Sequence, residues 1–340
     1  AFANYLGELQ ILGPVPLPVI VVAFVLFVAW INFRGMREST WMNAVCTSVE
    51  VFGLLFVVAV GARYWGGQVD YFEPPRPDQS LSAGLVLSGA VLTFFSFVGF
   101  EDLLNVAEEV KEPERTLPWG IILAMIITTI IYILVSITAI SVVRHNELAA
   151  SDAPLLEVVR RAAPWFPQNV FTVVCAFAVS NTVLLNYVMA SRLAYGMARQ
   201  GLLPRFLGHV HPRRRTPHLA ILTLMFTVLF LALTTQLKAL GEATSLLLLM
   251  VFMVVNGALI VLKLRPNEPR GRFEVPIVVP ALGVLACATL LIRSLMDPDK
   301  LIALGLAASI LLVIVVLFFV MRPRAIPEHL ELDDAGTAGG

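Results

Sequence analysis

Residues 92–102 read LTFFSFVGFED, an apolar run typical of a membrane helix that ends in two adjacent acids. A helix that crosses lipid keeps its backbone N–H and C=O groups bonded within itself. Ser96 and Gly99, just before the Glu101 carboxylate, therefore indicate a local break at which backbone polar atoms turn toward a ligand. The alternative is an ordinary span that reaches the far membrane interface at Glu101.

The composition of the 340-residue chain indicates a membrane protein. Apolar residues make up 58% of the chain, above the ~45–50% of soluble domains, and the mean hydropathy is +0.83. This surplus is too large for one soluble core, so lipid must surround much of the chain. The formal net charge is zero, which removes any argument for nucleic acid as a partner.

The cysteines and histidines argue against a metal or cofactor site. Cys46, Cys175 and Cys287 lie in apolar stretches, where a thiol behaves as a small hydrophobic group and indicates neither a disulfide framework nor a metal site. His209 and His211 lie beside three arginines, and this positive charge disfavours a bound cation. We therefore predict neither a metal nor a cofactor.

Nine stretches are apolar and long enough to span ~30 Å of hydrocarbon, which takes ~20 residues of helix. They cover residues 15–33, 43–61, 83–100, 117–143, 169–191, 219–235, 243–262, 276–292 and 302–321. We expect the third to continue as a broken helix to residue 110. The odd number predicts termini on opposite faces of the membrane. The chain starts at Ala1 without an initiator methionine or a signal-peptide pattern, so we expect a piece of a longer protein, with one transmembrane domain over residues 1–340.

Loop charge predicts the orientation, because cytoplasmic loops retain lysine and arginine. Sixteen of the 24 basic residues fall in one alternate set of loops, which includes the connection from 192 to 218 and the residues after 321. We therefore place the C-terminus in the cytoplasm of a multi-pass plasma-membrane protein. The acidic and then small residues at 328–340 predict a disordered cytoplasmic tail.

Two connections carry structural signals of their own. The outer connection from Arg144 to Gln168 has a helical apolar pattern before Pro164, and it is either a short helix over the outer mouth or a surface loop. On the inner side, GLLP at 201–204 predicts the end of the long helix that precedes it.

Glu50 is the first candidate for chemistry, because it is the only ionisable residue within the nine stretches apart from their last residues. A carboxylate at the centre of a span costs ~2.5–3.5 kcal/mol, so it requires a partner, a cavity or a proton. Glu50 lies roughly 10 Å into its helix from Asn43 at ~1.5 Å per residue. It is either a proton carrier or a hydrogen-bonded carboxyl that joins two helices.

Glu101 is the second candidate for proton coupling. It follows the break directly, where a carboxylate can sense a substrate ammonium and exchange a proton with the cytoplasmic side. Asp102 points to another helix face, so we expect only one of these acids to face the pathway. Phe94, Phe95, Phe97 and Phe100 crowd the same stretch; we expect two or three of them to pack, and one beside the break could close over a substrate.

Polar residues also interrupt the apolar stretch 169–191. They are Ser180, Asn181, Thr182 and Asn186. Asn186 lies one helical turn from Thr182, so the two side chains either face one cavity or hydrogen-bond to a neighbouring helix.

Three blocks of sequence occur in an order that resembles one family. They are FSFVGFE at 95–101 with AEEVKEPER at 107–115, NFRGMRES at 32–39 leading to Asn43 and Thr47, and SRLAYGMARQGLLP at 191–204 followed by TPH at 216–218. Together they resemble the amino acid–polyamine–organocation superfamily of permeases. The blocks are similar, respectively, to its sixth helix with the following inner loop, its fourth-to-fifth helix junction and the end of its eighth helix.

This resemblance implies an all-α polytopic membrane protein with the LeuT-like fold of two inverted five-helix repeats, twelve helices in all. The nine predicted spans would be the fourth to the twelfth helix, with residues 1–10 as the tail of the third. The cytoplasmic C-terminus predicted from loop charge agrees with this topology. The first helix, whose glycine-rich break holds the substrate carboxylate in the family, would then be absent, together with the second and most of the third.

The resemblance also implies roles for residues of the break. Phe95 resembles the aromatic gate of the family. The backbone around Ser96, Val98 and Gly99, with Phe97 among them, resembles the part that receives the substrate amino group.

Three further residues take implied roles. Glu101 is similar to the glutamate that senses protons in the arginine–agmatine antiporter of this superfamily, and Asn186 aligns near a residue that lines the pocket. Glu50 departs from the pattern, because some proton-coupled members have a lysine there whose ammonium stands in for a sodium ion. An acid reverses that charge, so the same coupling mechanism cannot be carried over.

We therefore predict a secondary transporter that moves amino acids by alternating access, coupled to protons. Its partners would be an amino acid, a proton or counter-substrate, and membrane lipid. One alternative is an exchanger of amino acid against amine or polyamine, and another is a non-transporting scaffold or receptor. An enzyme is disfavoured, because the spans contain no histidine and the chain has no HExxH or GxSxG motif.

Overall fold

The computed structural model describes residues 15–34, 40–67, 71, 82–101, 103, 110–151, 153–212, 214, 216–266 and 273–321, with backbone alone at 40–43. The described residues form eleven α-helices and contain no strand. The helices are α1 Leu17–Arg34, α2 Thr40–Gly61, α3 Ala83–Phe95, α4 Pro113–Val142, α5 His145–Ala150, α6 Pro154–Ala162, α7 Gln168–Arg199, α8 His218–Thr234, α9 Leu237–Leu264, α10 Val278–Leu295 and α11 Leu301–Met321. Short 3-10 turns occupy Ala62–Tyr64, Arg205–Gly208 and Pro298–Lys300.

Seven helical segments of the described chain are long and apolar enough to cross a membrane. They are Leu17–Arg34, Ala44–Tyr64, Pro113–Val142, Gln168–Arg199, Leu237–Leu264, Val278–Leu295 and Pro298–Met321. Two shorter apolar helices, α3 and α8, occupy the other two predicted stretches. The multi-pass membrane protein predicted from composition is thereby confirmed, while the count of nine spans stays a prediction.

The surfaces of these helices are apolar where a soluble protein would be polar. Val254 on α9 and Phe319 on α11 are 68% and 69% exposed, and large aliphatic side chains cover the outside of α4 in the same way. Exposed apolar surface on this scale requires a nonaqueous solvent. Lipid provides it.

The chain divides into two compact units. The first comprises residues 1–23, 38–182 and 230–308, and the second comprises 24–37, 183–229 and 309–340. The first unit has two apolar cores. One joins α2, α4, α6 and the start of α7 around Val57, Val158 and Phe171, and the other joins α3, α9, α10 and the start of α11 around Val91 and Leu246.

The connection from Arg144 to Gln168 is helical rather than a surface loop. It forms α5 and α6, and α6 buries Leu156, Val158 and Val159 against α2 and α4. The side chain of Arg63 donates a hydrogen bond to the carbonyl of Ala162 at the end of α6. Of the two alternatives drawn from the sequence, the structure shows the short helix.

The second unit contains the end of α7 and the connection that follows it. Gly201 has φ +77°, and the amide groups of Gly201 and Leu202 donate to the carbonyls of Ala198 and Met197. This is a Schellman motif, in which glycine at the left-handed position ends a helix. The Gly-Leu-Leu-Pro sequence thus ends α7 at the predicted place, and Leu207, Ala198 and Ala220 pack into a small core after it.

The residues predicted as a disordered tail, 328–340, lie outside the described part of the chain, as does Asp102. The prediction that the broken helix continues to residue 110 falls mostly on residues that are likewise not described.

Candidate functional site

The α3 helix ends at Phe95, and residues 96–99 form turns. The amides of Ser96, Phe97 and Val98 donate to carbonyls three residues back, at 3.0, 3.0 and 3.2 Å, which is the tighter pattern of a 3-10 turn. Gly99 has φ +117°, a backbone conformation that side chains with a Cβ atom rarely adopt. The sequence LTFFSFVGFED therefore does leave the α-helical path at Ser96.

Two polar contacts position the turn. The hydroxyl of Tyr132 on α4 donates to the carbonyl of Ser96 at 2.8 Å, and the Phe97 ring packs edge-on against the Tyr132 ring. The carboxylate of Glu101 accepts a hydrogen bond from the amide of Gly99 at 2.8 Å. The turn thus presents backbone carbonyls beside a half-buried acid.

The aromatic residues of this stretch divide into packing and exposed groups. Phe94 and Phe100 both contact Phe252 on α9, with ring centroids at 5.9 and 5.6 Å. Phe95 is 42% exposed, although one side of its ring lies near Gly241. Among the four phenylalanines, Phe95 is thus the one whose ring is most accessible beside the turn.

Glu50 has a partner in the structure. Its carboxylate accepts a hydrogen bond from the side-chain amide of Asn181 at 3.0 Å. This bond joins α2 to α7 within the first unit. The neighbouring hydroxyls of Ser180 and Thr182 instead donate to carbonyls one turn back in their own helix.

Asn186 lies in the second unit and its side chain is exposed. Its role as a pocket residue stays a prediction. In the same unit, Asn32 on α1 donates to the hydroxyl of Ser191 at 3.3 Å, and the Tyr187 hydroxyl donates to the carbonyl of Ile221 at 2.6 Å. These bonds join α1, α7 and α8.

A set of buried charges was not predicted from the sequence. Glu50 is the only acid inside the nine stretches as predicted, but α9 begins at Leu237, six residues before the predicted stretch, and thereby includes Glu242 in its second turn, 5% exposed. Lys300, assigned to a loop from the sequence, is 4% exposed, and its ammonium donates to the carbonyl of Ser88 at 2.7 Å. The apolar residues before position 243 continue the helical pattern, and this pattern could have predicted the earlier start of α9.

Asp297 belongs to the same set. Its carboxylate accepts hydrogen bonds from the hydroxyl of Ser88 and, at 3.1 Å, from the amide of Asp299. The hydrogen bond from Ser88, followed by that from Asp299 and the charges of Lys300 and Arg293, holds the pKa of Asp297 below its usual range, although burial opposes the shift. Asp297 is therefore ionised in the folded protein at neutral pH.

The three cysteines are buried, and none of them forms a disulfide bond. Among the described residues, no group of three histidine, cysteine or acidic side chains is arranged to hold a metal ion. His211 instead packs edge-on against Phe33 and His218.

Comparison with known proteins identifies the family. Residues 1–330 match the family described as amino acid permease. The chain is 29% identical over 280 residues to the branched-chain amino acid permease BcaP of Bacillus subtilis (strain 168), which covers 82% of this chain and 58% of that protein.

Two other relatives are transporters as well. An uncharacterized transporter of Mycobacterium tuberculosis (strain ATCC 25618 / H37Rv) is 32% identical over 273 residues, with 80% of this chain and 60% of that protein covered. The vacuolar cationic amino acid transporter 4 of Arabidopsis thaliana is 30% identical over 236 residues, with 69% and 39% covered. In all three cases the chain spans less than two thirds of the relative's length.

These names are those of permeases and transporters, which confirms the expectation that the protein is not an enzyme. The family match extends over nearly the whole chain and includes the three blocks that resembled it. The chain therefore belongs to the amino acid permease family, within the amino acid–polyamine–organocation superfamily.

Proposed function

We propose that the protein is a secondary active transporter that carries amino acids by alternating access, with the substrate at the turn that follows α3. The observation that carries the proposal is the end of α3 at Phe95. The helix has 13 residues, or about 20 Å at ~1.5 Å per residue, which is about two thirds of the ~30 Å hydrocarbon thickness. Non-helical backbone at such depth is tolerated where it lines a cavity.

The turn offers the groups that an amino acid requires. The carboxyl end of a helix carries partial negative charge, which suits a substrate ammonium near Ser96, Val98 and Gly99. Phe95 is accessible and able to cover the substrate, and Phe97 is held against Tyr132. Asn186 is proposed as a further pocket residue on the family resemblance alone.

Glu101 is our proposed proton-linked group. In the structure its carboxylate receives the amide hydrogen of Gly99, so a proton on that oxygen would weaken the bond and change the shape of the turn. Protonation and substrate binding would thereby act on the same backbone. Glu50, bonded to Asn181, is the second proposed proton-coupling residue.

We also propose the nine-span architecture and its orientation in the membrane. The two short apolar helices, α3 and α8, would complete nine spans, the fourth to the twelfth of a LeuT-like inverted repeat. α8 has 17 residues, or about 26 Å of helix, close to the hydrocarbon thickness. Loop charge supports a cytoplasmic C-terminus in the plasma membrane.

The test is uptake of radiolabelled leucine and of arginine by the intact protein in proteoliposomes, with and without an inward proton gradient. We expect the gradient to stimulate uptake. Glu101→Gln should remove most of that stimulation while uptake itself persists, since an amide oxygen still accepts from Gly99. Thermal unfolding should stay unchanged.

The matched control is Glu114→Gln, which removes an exposed acid from the first turn of α4 and should keep the stimulation. If the proton gradient stimulates uptake by Glu101→Gln as strongly as uptake by the unmodified protein, Glu101 has no role in proton coupling. Absence of both uptake and exchange would favour a non-transporting scaffold or receptor.

A second candidate is an exchanger of amino acid against amine or polyamine. The observation in its favour is the pair of half-buried acids, Glu50 and Glu101, because carboxylates attract ammonium groups. Proteoliposomes preloaded with putrescine would distinguish the two functions. Exchange requires internal amine for uptake, whereas proton-coupled transport does not.

A further inference from the structure

The connection between α10 and α11 makes direct contact with the middle of α3. The Lys300 ammonium donates to the carbonyl of Ser88 at 2.7 Å, and the Ser88 hydroxyl donates to the carboxylate of Asp297. One residue of α3 is thus bonded through both its backbone and its side chain. Ser88 lies seven residues, about two helical turns, before the end of α3 at Phe95.

Arg293 extends this contact by one turn. Its Nε atom donates to the carbonyl of Gly84 at 3.2 Å, four residues before Ser88 and therefore on the same helix face. A Cβ atom at position 84 would lie only 2.8 Å from the guanidinium Nη2 atom. The guanidinium can therefore lie directly against the helix backbone because residue 84 is glycine.

Glu242 balances the charge of this region. It lies on α9, is as deeply buried as Lys300, and attracts Lys300 electrostatically, as Asp297 does. Arg293 and Lys300 are positive and Asp297 and Glu242 are negative, and Lys238 at the start of α9 adds a further positive charge that acts on Lys300. Buried ions are retained in proteins where partners of opposite charge offset their loss of hydration.

The same face of α3 continues as an apolar contact toward the substrate turn. Val91 is fully buried among Ala243, Leu246 and Ala303. One turn later the Phe95 ring approaches Gly241 of α9. A continuous line of contacts therefore joins Arg293 at one end of α3 to the aromatic ring beside the turn at the other.

We propose that Lys300, together with Arg293 and Asp297, is a positioning group that docks α3 on α9, α10 and α11, and that release of these hydrogen bonds lets α3 move during transport. The proposal rests on the proposed function, in which α3 carries the substrate turn. Lys300 acts through Ser88 and does not touch the substrate. A transporter exposes its substrate site to one side of the membrane and then to the other when such an element moves between two packed positions.

The experiment measures how often α3 leaves its docked position. A cysteine introduced as Val91→Cys is buried in the docked state, so its reaction with a small water-soluble methanethiosulfonate reports undocking. The native cysteines are buried, and a protein without Val91→Cys gives the background rate. The intact protein in proteoliposomes is used throughout.

Lys300→Met removes a buried ammonium and leaves the buried Glu242 without this opposite charge. It is unsuitable alone, because removing one member of a buried pair of opposite charges destabilises a fold strongly. The double variant Lys300→Met/Glu242→Gln removes one charge of each sign. We expect it to fold and to raise the labelling rate of Val91→Cys by about tenfold, a typical coupling between two sites. Lys300→Arg should restore slow labelling, because a guanidinium can donate to the same carbonyl.

The matched control is Lys111→Met, which removes an exposed lysine just before α4 and should leave the labelling rate unchanged. A folded double variant that labels at the rate of this control would overturn the proposal. Labelling requires no substrate, so its outcome is separate from that of the proposed function. Failure of the unmodified protein to take up amino acids would overturn the proposed function and leave the docking result intact.

Discussion

At the scale of single residues, the bond between Glu50 and Asn181 gives a membrane carboxyl the partner that its burial requires. The sequence singled out Glu50, because an acid within an apolar stretch is rare. The sequence could not identify the partner, since Asn181 is 131 positions away. Ser180, Thr182 and Asn186 in the same stretch were equally possible partners. The bond supports the interpretation that Glu50 joins two helices. Transport measurements would test whether Glu50 also carries a proton.

We predict that Glu50 and Asn181 are energetically coupled. In a double-mutant cycle of Glu50→Ala and Asn181→Ala, the coupling free energy of unfolding should be about 0.6–1.7 kcal/mol, the range of interhelical hydrogen bonds in membranes. Unfolding in detergent micelles measures it. Ser180→Ala in place of Asn181→Ala is the control, because that hydroxyl bonds within its own helix; additive effects of Glu50→Ala and Asn181→Ala would contradict the prediction.

The burial of the charged side chains near Lys300 could not be predicted from the sequence. Hydropathy alone placed the start of the seventh stretch at residue 243, because Lys238 and Glu242 lower the local average. Both residues nevertheless lie in α9. The opposite charge that attracts Glu242 belongs to Lys300, 58 positions further along the chain, and such long-range attraction leaves no periodic signal in the sequence.

At the scale of elements, the break after α3 was predictable because its causes are local. Glycine at 99 permits φ +117°, and the neighbouring acid accepts its amide hydrogen. The contact of Tyr132 with Ser96 was not predictable, since it depends on how α4 packs beside the turn. The helical outcome for residues 145–162 likewise required knowledge of the apolar surface of α2 and α4 that receives it.

We predict opposite effects for two glycines near each other in the sequence. Gly99→Ala should destabilise the protein by about 1–3 kcal/mol, because a Cβ atom strains the backbone at this φ, and should reduce amino acid uptake. Gly89→Ala, inside α3 with open space around it, should stabilise the helix by about 0.5–1 kcal/mol. Thermal unfolding and uptake measure both, and equal behaviour of the two variants would show that the turn needs no special backbone.

At the scale of the whole molecule, hydropathy and loop charge have the greatest predictive power, because they depend on which segments lie in lipid and which lie in water. Composition predicted a multi-pass membrane protein, and the helices carry the exposed apolar surface that this requires. The order of the three sequence blocks predicted the family. How the helices of each unit pack depends on side-chain contacts that no single stretch contains.

We predict that the α6 side of the membrane is extracellular and the Arg205–Gly208 side cytoplasmic. Trp165 is 71% exposed and Phe206 is 49% exposed, so cysteines introduced at these two positions serve as a matched pair. A membrane-impermeant maleimide added to intact cells should label Trp165→Cys and leave Phe206→Cys unlabelled. Labelling of Phe206→Cys alone would reverse the orientation.

The α6 helix has a practical consequence for imaging. Its apolar side is buried on α2 and α4, while Glu157 pairs with Arg160 at 3.1 Å and with Arg161 at 2.9 Å on the opposite side. This charged side of α6 contrasts with the exposed apolar surface of the long helices. An antibody fragment raised against it would add mass outside the detergent micelle and supply an alignment marker for cryo-electron microscopy.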